Sequence, residues 1–349
     1  MILVSVFHPF YHSVLRRTIV SCYFNGKIER TILVPTFPKF GLLSYFRDFL
    51  VTLFLGFHLG RRYDLFIGSN PLNAFAGIIL RRFGMVERVV FYKIDFVPQR
   101  FDNAMLNGFY QSVDRLCSGK CDWTWNLATA MIEARMRRGT RMGGKQLVVP
   151  IGSNFDRIQR LPIDKIRRHR LVYMGSLRQG QGIGLVIEAL PKIRKVIRDI
   201  ELLVVGFGPL GQELSNRARQ LGLQDCVTFT GQIADHRDLE RTLCSCGVGL
   251  APYEPTANGF TQYTEPGKVK VYMACGLPVI ITRVPAIARE VEKVGAGISI
   301  PYDVGELASS VEKLFSDDAA YASMRAAAIS FASQYSWTRI FNAAFDDMF

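Results

Sequence analysis

The sequence lacks the cysteine arrangements that hold a metal ion or a disulfide framework. Its seven cysteines are an odd number and are scattered through apolar segments. Cys117 with Cys121, and Cys244 with Cys246, are the close pairs, and neither has a second pair or nearby histidines to complete four zinc ligands. We therefore expect no structural metal, and we predict buried, free thiols in a reducing cytoplasm.

Long hydrophobic runs and a cleavable leader are also missing. The first ten residues have no basic start and no small-residue cleavage site, so no signal peptide is predicted. The most apolar segment, residues 40–59, is interrupted by Arg47 and Asp48, and the uninterrupted run of residues 49–59 is too short to span a bilayer. An apolar surface flanked by cations binds anionic membranes, whereas the same pattern also fits a core helix with a basic surround. The flanking cations are Arg16, Arg17, Arg61, Arg62, Arg81 and Arg82.

Acidic residues are fewer than basic ones, which gives the 349-residue chain a formal net charge of +13. This excess favours an acidic partner: nucleic acid, an anionic membrane or a phosphorylated small molecule. The basic residues show no aromatic interleaving and no nucleic-acid-binding module, which disfavours nucleic acid. With 49% hydrophobic and 21% charged residues, the chain is globular, and its length predicts two domains.

Apolar strands alternate with amphipathic helices along the chain, which predicts an α/β fold with parallel, doubly wound sheets. In the first half, Asn25-Gly26 between two apolar runs also predicts a hairpin. Residues 151–170 carry glycine, proline and a basic cluster and are interpreted as a linker. We predict two Rossmann-like domains, the first over residues 1–160 and the second over residues 161–335. A closing helix over residues 336–349 is expected to pack back toward the first domain.

The stretch from residue 264 to residue 282 combines a loop, a short helix and an apolar strand. In parallel α/β sheets, ligands collect where strands end and helices begin, and helix N-termini attract anions. Lys268 lies in the first turn of this helix, beside the helix's own positive pole, where a cation is unfavourable unless an anion lies opposite. We predict an anion-binding site here; a solvated surface lysine is the alternative.

Two glycine-rich loops follow strands in the second half. The first, residues 175–182, precedes a helix and offers backbone amides and Arg178 to a diphosphate, although an ordinary turn fits the same residues. The second, residues 206–211, matches the G-x-G-x-x-G pattern, with Asp225 at the spacing of a dinucleotide fingerprint. Asp225 precedes the next strand instead of ending it, so a tight turn is favoured over nicotinamide binding.

From residue 170 onward the chain resembles the donor-binding domain of family 4 retaining glycosyltransferases. The matching motifs, in order, are YMGSL with QGIGLVIEAL, LLVVGFGP, LGLQDCVTFTGQI, GLAPY, PGKVKVYMACGLPVI, AREV with VGAGISIP, and YSWTRI. The first half is similar in outline only, through FYKIDFVP and VVPIGSN. The resemblance implies the GT-B fold, in which two Rossmann-like domains face each other across a cleft.

The resemblance also implies a nucleoside diphosphate sugar, such as a UDP- or GDP-sugar, as donor, no cofactor and no catalytic metal. Lys268 matches the lysine of a Pro-x-Lys variant, where a cation stabilises the departing diphosphate. The loop of residues 175–182 then lies against the phosphates, and Glu265 near the sugar. The positions implied for the donor are Gly175, Ser176, Arg178, Gly206, Gly231, Gln232, Glu265, Lys268 and Glu290.

Several positions depart from the family pattern. Two glutamates eight positions apart are usual around this helix, and their places are taken by Tyr263 and Val271. Ile94 and Asp95 occupy the place of a frequent His-Asp pair. Asp95 becomes a candidate catalytic carboxylate, with a loop ion pair to Arg100 as an equally weighted alternative.

These observations predict a retaining glycosyltransferase that is cytoplasmic and peripheral on the inner face of a membrane. Its acceptor would be a glycan or a lipid-linked molecule of cell-surface polysaccharide or glycolipid synthesis, since lipid-linked acceptors are common among the enzymes it resembles. Asp95, Lys268 and Glu265 are the catalytic candidates. The departures leave open a catalytically inactive GT-B scaffold or partner subunit of an active glycosyltransferase.

Overall fold

The chain divides into two compact units. Unit 1 consists of Met1–Asn126 and Arg135–Leu147, and unit 2 of Leu127–Ala134 and Val148–Phe349. The division therefore falls earlier than residue 160, and the closing helix clusters with unit 2. The computed structural model describes residues 2–8, 17–35, 41–95, 99–101, 103–255 and 265–349, with the backbone alone for residues 41–43.

Unit 1 begins with a small antiparallel sheet of order β1-β2-β3, formed by Ile2–Phe7, Arg17–Phe24 and Lys27–Pro35. Asn25 and Gly26 both have positive φ, 47° and 81°, as the predicted two-residue hairpin turn requires. The hairpin is confirmed. The first strand pairs with the hairpin and lies in a different sheet from the parallel strands, so the parallel arrangement predicted for this half begins only at β4.

The second sheet of unit 1 has the order β4-β5-β6-β7, and its β4–β5 and β5–β6 pairs are parallel. Helix α2 begins where the Asn70 side chain caps the Asn73 amide at 2.8 Å and Pro71 occupies the first turn. The elements are α1 (Gly41–His58), β4 (Tyr63–Gly68), α2 (Pro71–Arg82), β5 (Val86–Lys93), α3 (Ala104–Lys120), β6 (Trp123–Asn126), α4 (Thr129–Arg137) and β7 (Lys145–Val148). No helix in the described ranges is both long and apolar enough to cross a membrane.

Unit 2 is built on a six-stranded parallel sheet of order β10-β9-β8-β11-β12-β13. The chain runs outward from β8 to β10 and then returns to place β11 on the other side of β8. The loops that follow β8 and β11 therefore diverge, and such a switch point is where doubly wound sheets bind ligands. The strands are β8 (Arg167–Met174), β9 (Glu201–Val205), β10 (Val227–Gly231), β11 (Cys246–Ala251), β12 (Val279–Thr282) and β13 (Gly297–Ile300).

Helices cover both faces of this sheet, which explains why its strands are near-continuous apolar runs. One buried cluster includes Leu190, Val204 and Leu250, and the other includes Val205, Met273 and Ile281. The helices are α5 (Ile183–Val196), α6 (Gly211–Gln220), α7 (His236–Cys244), α8 (Gly267–Ala274), α9 (Ile287–Lys293), α10 (Val304–Ser316), α11 (Asp318–Ser333) and α12 (Trp337–Asp346).

The segment interpreted as a linker is packed against unit 2. Ile158 and Ile166 are buried in its two cores, and the Arg160 guanidinium donates to the Ala274 carbonyl at 2.7 Å. Two short 3-10 turns, Phe155–Arg157 and Ile163–Lys165, break its regularity. The glycine and proline content indicates an irregular backbone, whereas the apolar side chains of the segment pack into the cores of unit 2 and fix the segment to that unit.

Candidate donor site at the switch point of unit 2

Three predicted glycines line the carboxyl edge of the sheet: Gly175 follows β8, Gly206 follows β9, and Gly231 is the last residue of β10. The Gly175 amide donates to Val205 at 2.9 Å, and the Gly206 amide donates to Gly231 at 2.8 Å. Gly206 has a φ of +143°, and a Cβ there would lie 1.9 Å from the Gly175 carbonyl oxygen. Only glycine fits this contact, and the edge is left with bare backbone that a ligand can approach closely.

The loop of residues 175–182 is held by its neighbours on both sides. Toward β9, the Leu177 amide donates to Phe207 at 3.0 Å. Toward β11, the Gly180 amide donates to the Glu254 carboxylate at 3.2 Å. Gly182 has a φ of +71° and starts α5, and a Cβ there would meet the Pro252 carbonyl at 1.6 Å. Ser176 and Arg178 are exposed residues of this fixed loop.

Lys268 extends from the start of α8 to the end of β8. Its Nζ donates to the Gln181 Oε1 at 2.9 Å and lies 4.5 Å and 4.8 Å from the ring centroids of Tyr173 and Tyr253. A Cβ on Gly175 would lie 2.9 Å from this Nζ, so the glycine makes room for the ammonium. Removal from water, and then the nearby Arg178 charge, lower the pKa of Lys268 from 10.5 to about 7.

The environment of Lys268 disfavours its charged form. The charged form of Lys268 is held by a neutral amide oxygen and two aromatic faces, which stabilise it far less than water or a carboxylate does. An anion that enters beside the Nζ supplies the missing charge and raises the pKa again. The arrangement is therefore chemically suited to an anion at the switch point.

Sequence reasoning missed the residues that position this ammonium. Gln181 is a buried polar residue of the loop, and no pattern in the loop sequence singles it out. Tyr173 lies near the end of β8, and Tyr253 lies two residues beyond the end of β11. Their meeting requires the strand order, since β8 and β11 are neighbours in the sheet but distant in sequence.

Glu265 lies just before α8 and is engaged by protein groups. One carboxylate oxygen forms an ion pair with the Lys270 ammonium, and the other accepts the Ile151 amide at 3.1 Å. Lys270 is fully buried, with its Nζ 3.5 Å from the Tyr335 ring centroid. Burial raises the pKa of Glu265 and lowers the pKa of Lys270 to about 8. The predicted contact of Glu265 with a sugar stays a prediction, and the observed role is to hold residue 151 to α8.

Two further predicted donor positions, Glu290 and Gln232, lie at the start of α9 and just after β10. Glu290 lies in the first turn of α9, and its negative charge adds to the burial that raises the pKa of Glu265. Gln232 is exposed directly after β10. Val271 is half-buried and packs against the apolar core, so no carboxylate replaces the missing family glutamate at that position. Tyr263 lies outside the described residues.

Asp95 belongs to unit 1, two residues beyond β5. Its carboxylate forms an ion pair with Arg100, which is the alternative that the sequence leaves open, and its side chain remains 40% exposed. The last residue of β5, Lys93, is buried and paired with Asp114, and burial lowers the pKa of Lys93. Asp95 is thus a partly exposed carboxylate at the carboxyl edge of the parallel sheet of unit 1.

The dinucleotide alternative receives no support from Asp225. The Arg194 guanidinium donates to this carboxylate at 2.8 Å, and both side chains lie at the amino end of β10. Gly208 instead allows its loop to pack closely on the loop of residues 175–182, because a Cβ on Gly208 would lie 2.3 Å from the Leu177 carbonyl oxygen. Among the residues with described positions, no group of three or more His, Cys, Asp or Glu side chains is arranged to hold a metal ion.

Comparison with known sequences finds a family match for the region that contains Lys268. The family model described as glycosyl transferases group 1 matches residues 168–317. Glycogen synthase of Mycobacterium tuberculosis is 28% identical over 176 residues, which are 50% of this chain and 40% of that protein. The GDP-mannose-dependent alpha-(1-6)-phosphatidylinositol dimannoside mannosyltransferase of the same species is 27% identical over 158 residues, 43% of this chain and 39% of that protein. The chain thus matches less than half the length of either relative.

Comparison with solved structures extends the similarity to most of the chain. HepE from Anabaena, solved in complex with UDP, superposes with a TM-score of 0.68 at 18% identity, over 90% of this chain and 85% of that one. At this identity the likeness concerns the fold, and it includes both Rossmann-like units. Residues 168–317 therefore match the glycosyl transferases group 1 family model, in a chain that has the GT-B fold.

Proposed function

We propose that the protein is a retaining glycosyltransferase that moves a sugar from a nucleoside diphosphate sugar to a glycan or a lipid-linked acceptor. The observation that carries this proposal is the desolvated ammonium of Lys268 beside the glycine edge of the β8–β11 switch point. A cation in such a place is stabilised by the diphosphate of a donor. The family match of the surrounding domain supports the same chemistry.

In this proposal the diphosphate lies between the loop of residues 175–182 and the start of α8. Lys268 neutralises the diphosphate from one side, and Arg178 approaches it from the loop. The Arg178 charge also lowers the pKa of the Lys268 ammonium. The amino end of α8 adds its positive pole. As the glycosidic bond breaks, negative charge grows on the leaving diphosphate, and these groups stabilise it in place of a metal ion.

The proposed role of Glu265 differs from the sugar contact that the family resemblance implies, whereas Glu290 keeps its implied role at the donor. Glu265 keeps α8 in register with residue 151 through its ion pair and its amide contact. Glu290 and Gln232 remain the exposed polar groups available to the sugar and the base. Asp95 is proposed to act from unit 1 on the reacting hydroxyl, after exchanging its ion pair with Arg100 for the substrate.

The acceptor and the cellular site are also proposals. The dimannoside mannosyltransferase among the relatives is named for a phosphatidylinositol acceptor, which supports a lipid-linked acceptor here. All seven cysteines are free thiols, six of them buried, as is usual in a reducing compartment. We propose a cytoplasmic protein that is peripheral on the inner face of a membrane and contributes to cell-surface polysaccharide or glycolipid synthesis.

A non-catalytic GT-B partner subunit is the second candidate. Val271 stands where a ribose-binding glutamate is usual in the resembling family, and the carboxylates of Glu265 and Asp95 are both occupied by ion pairs. This candidate predicts that donor binds without turnover and that Asp95→Asn leaves every measured property unchanged.

The proposal is tested with a panel of UDP-, GDP- and ADP-sugars by thermal shift and calorimetry on the full chain. We expect one base to stabilise the protein and Lys268→Met to abolish the effect. Lys195→Met, an exposed lysine on α5, is the matched control and should bind as the wild type does. Well-folded protein that binds none of the donors would contradict the proposal.

A further inference from the structure

Helix α1 of unit 1 carries an apolar face that no described element covers. Phe46, Leu50, Phe54 and Phe57 are each at least 41% exposed. At about 100° per residue, these four positions fall within an arc of about 80° on one side of the helix. Phe83 is 67% exposed and contacts Phe57 with a ring-centroid distance of 5.5 Å, so it extends the same surface. These five residues are called the α1 apolar face.

The opposite side of α1 accounts for its attachment to unit 1. Phe49, Thr52 and Leu55 are buried, and Phe49 stacks on Phe75 of α2 at 5.8 Å. The core therefore needs only one side of this helix. The exposed aromatic residues are additional to what folding requires, and a contiguous apolar surface of this kind marks a site of contact with another body.

The net positive charge of the protein is concentrated in the same unit. Unit 1 contains 20 Lys and Arg residues against 8 Asp and Glu, whereas unit 2 contains 23 against 22. Three exposed arginines adjoin the apolar face in the chain: Arg61 and Arg62 just after α1, and Arg82 next to Phe83. The apolar face therefore has a basic rim on a strongly basic unit.

We propose that the α1 apolar face docks on an anionic lipid bilayer, with α1 lying in the plane of the interface. The aromatic side chains enter the boundary between headgroups and acyl chains, and the rim arginines contact anionic headgroups. An 18-residue helix is about 27 Å long, which suits a helix that lies along the surface. This inference deepens the proposed peripheral location, because it names the surface and the lipid charge.

A second copy of the chain is the competing occupant, and charge argues against it. Pairing two such faces brings together two units that each carry an excess of 12 positive charges, with their basic rims side by side. An anionic bilayer reverses the sign of this interaction. The same electrostatics that oppose self-association favour the membrane.

The test is co-sedimentation of the full chain with vesicles. Phosphatidylcholine vesicles with one third phosphatidylglycerol should bind the protein, and pure phosphatidylcholine vesicles should bind it far less. Transfer of one exposed aromatic side chain into an apolar phase changes partitioning by about tenfold, so Phe46→Ser/Phe54→Ser should weaken binding about 100-fold. Phe109→Ser, an exposed aromatic on α3, is the matched control and should change binding less than threefold.

The charge of the rim is tested separately. Arg61→Ser/Arg62→Ser should weaken binding to the anionic vesicles about 30-fold, since each arginine near the surface contributes about fivefold. Arg115→Ser/Arg141→Ser is the control, and its effect should be several times smaller. Equal losses in both double variants would overturn the assignment of this face and leave only general electrostatic binding.

Two further readouts separate the outcomes. Sedimentation equilibrium of the vesicle-free protein should show the same mass for the wild type and for Phe46→Ser/Phe54→Ser; a wild-type dimer that the double variant dissociates would overturn the proposal in favour of a second copy. Donor binding by calorimetry should be unchanged in the double variant. These readouts distinguish the two possible failures. If only the membrane proposal is wrong, the α1 variants leave vesicle binding unchanged and donor binding is still measured. If the proposed transferase function is wrong, donor binding is absent in the wild type and in every variant.

Discussion

Donor binding should be linked to protonation of Lys268, because the unliganded protein holds this side chain with a pKa of about 7. A bound diphosphate places an anion beside the Nζ and raises its pKa. The charged form is therefore required in the complex but is progressively lost from the free protein as pH rises above about 7. Binding above this pH takes up a proton.

The size of the effect follows from this pKa. The apparent dissociation constant is inversely proportional to the fraction of free protein that carries the proton, so it should rise about 50-fold between pH 7 and pH 9. A nucleoside diphosphate sugar is the suitable ligand, since its diphosphate does not titrate in this window. Below pH 6 the affinity should become independent of pH.

The same lowered pKa destabilises the unliganded fold. The unfolded chain binds more protons than the folded one between about pH 7 and pH 10.5, so this group makes stability rise with pH in that window. The full penalty, at 1.36 kcal/mol per pH unit, is about 5 kcal/mol below pH 7. This penalty is already net of the hydrogen bond and the ring contacts of the ammonium, so Lys268→Met should stabilise the protein by up to about 5 kcal/mol at pH 6.

Calorimetric titration at pH 6, 7, 8 and 9, in buffers of different ionisation enthalpy, measures the affinity and the proton uptake together. Urea unfolding of the wild type, Lys268→Met and Lys195→Met gives the stability. The account is refuted if affinity does not change between pH 7 and pH 9, or if Lys268→Met is less stable than the wild type and still binds donor.

Three further substitutions test other parts of the site. Glu265→Gln leaves the buried Lys270 ammonium without its carboxylate and should lower the free energy of unfolding by about 3–5 kcal/mol in urea titrations; the added change Lys270→Met should restore most of the loss, and a double variant no more stable than the single one would show that the pair is not the cause. Gly175→Ala places a Cβ 2.9 Å from the reactive ammonium at a φ of +150°, so donor affinity measured by calorimetry should fall at least about tenfold; wild-type affinity would contradict the close approach. Asp95→Asn breaks a partly exposed ion pair with Arg100 and should change stability by at most about 1 kcal/mol, whereas turnover with a saturating donor should fall at least about 100-fold; unchanged turnover would remove Asp95 from the reaction.

Local patterns in the sequence predicted most of the secondary structure. Asn25-Gly26 specified its turn, and the alternation of apolar runs with amphipathic segments predicted the parallel sheet of unit 2. The pairing of β1 was beyond these patterns. An alternating apolar strand fits an antiparallel or a parallel neighbour equally well, and only tertiary contacts decide between them.

The candidate site was predictable where its signals are local. Gly175 and Lys268 each occupy a position in a loop or a helix start whose backbone chemistry is readable from neighbouring residues. The Glu265–Ile151 contact joins residues 114 positions apart, and no local pattern encodes it. Lys270 illustrates the same limit. Residues two positions apart on a helix, such as Lys268 and Lys270, point about 200° apart. Only the packing around α8 determines that Lys268 contacts Tyr173 at the switch point and that Lys270 contacts Tyr335.

The measurement that tests the central claim most directly is the release of nucleoside diphosphate from the donor that the panel selects, followed by ³¹P NMR in the presence of a membrane extract that supplies acceptors. The account predicts catalytic release that Lys268→Met abolishes and Lys195→Met preserves, with the anomeric configuration of the donor retained in the product. Donor that binds tightly and remains intact over many hours, in wild-type protein, would contradict transfer and establish the non-catalytic partner instead.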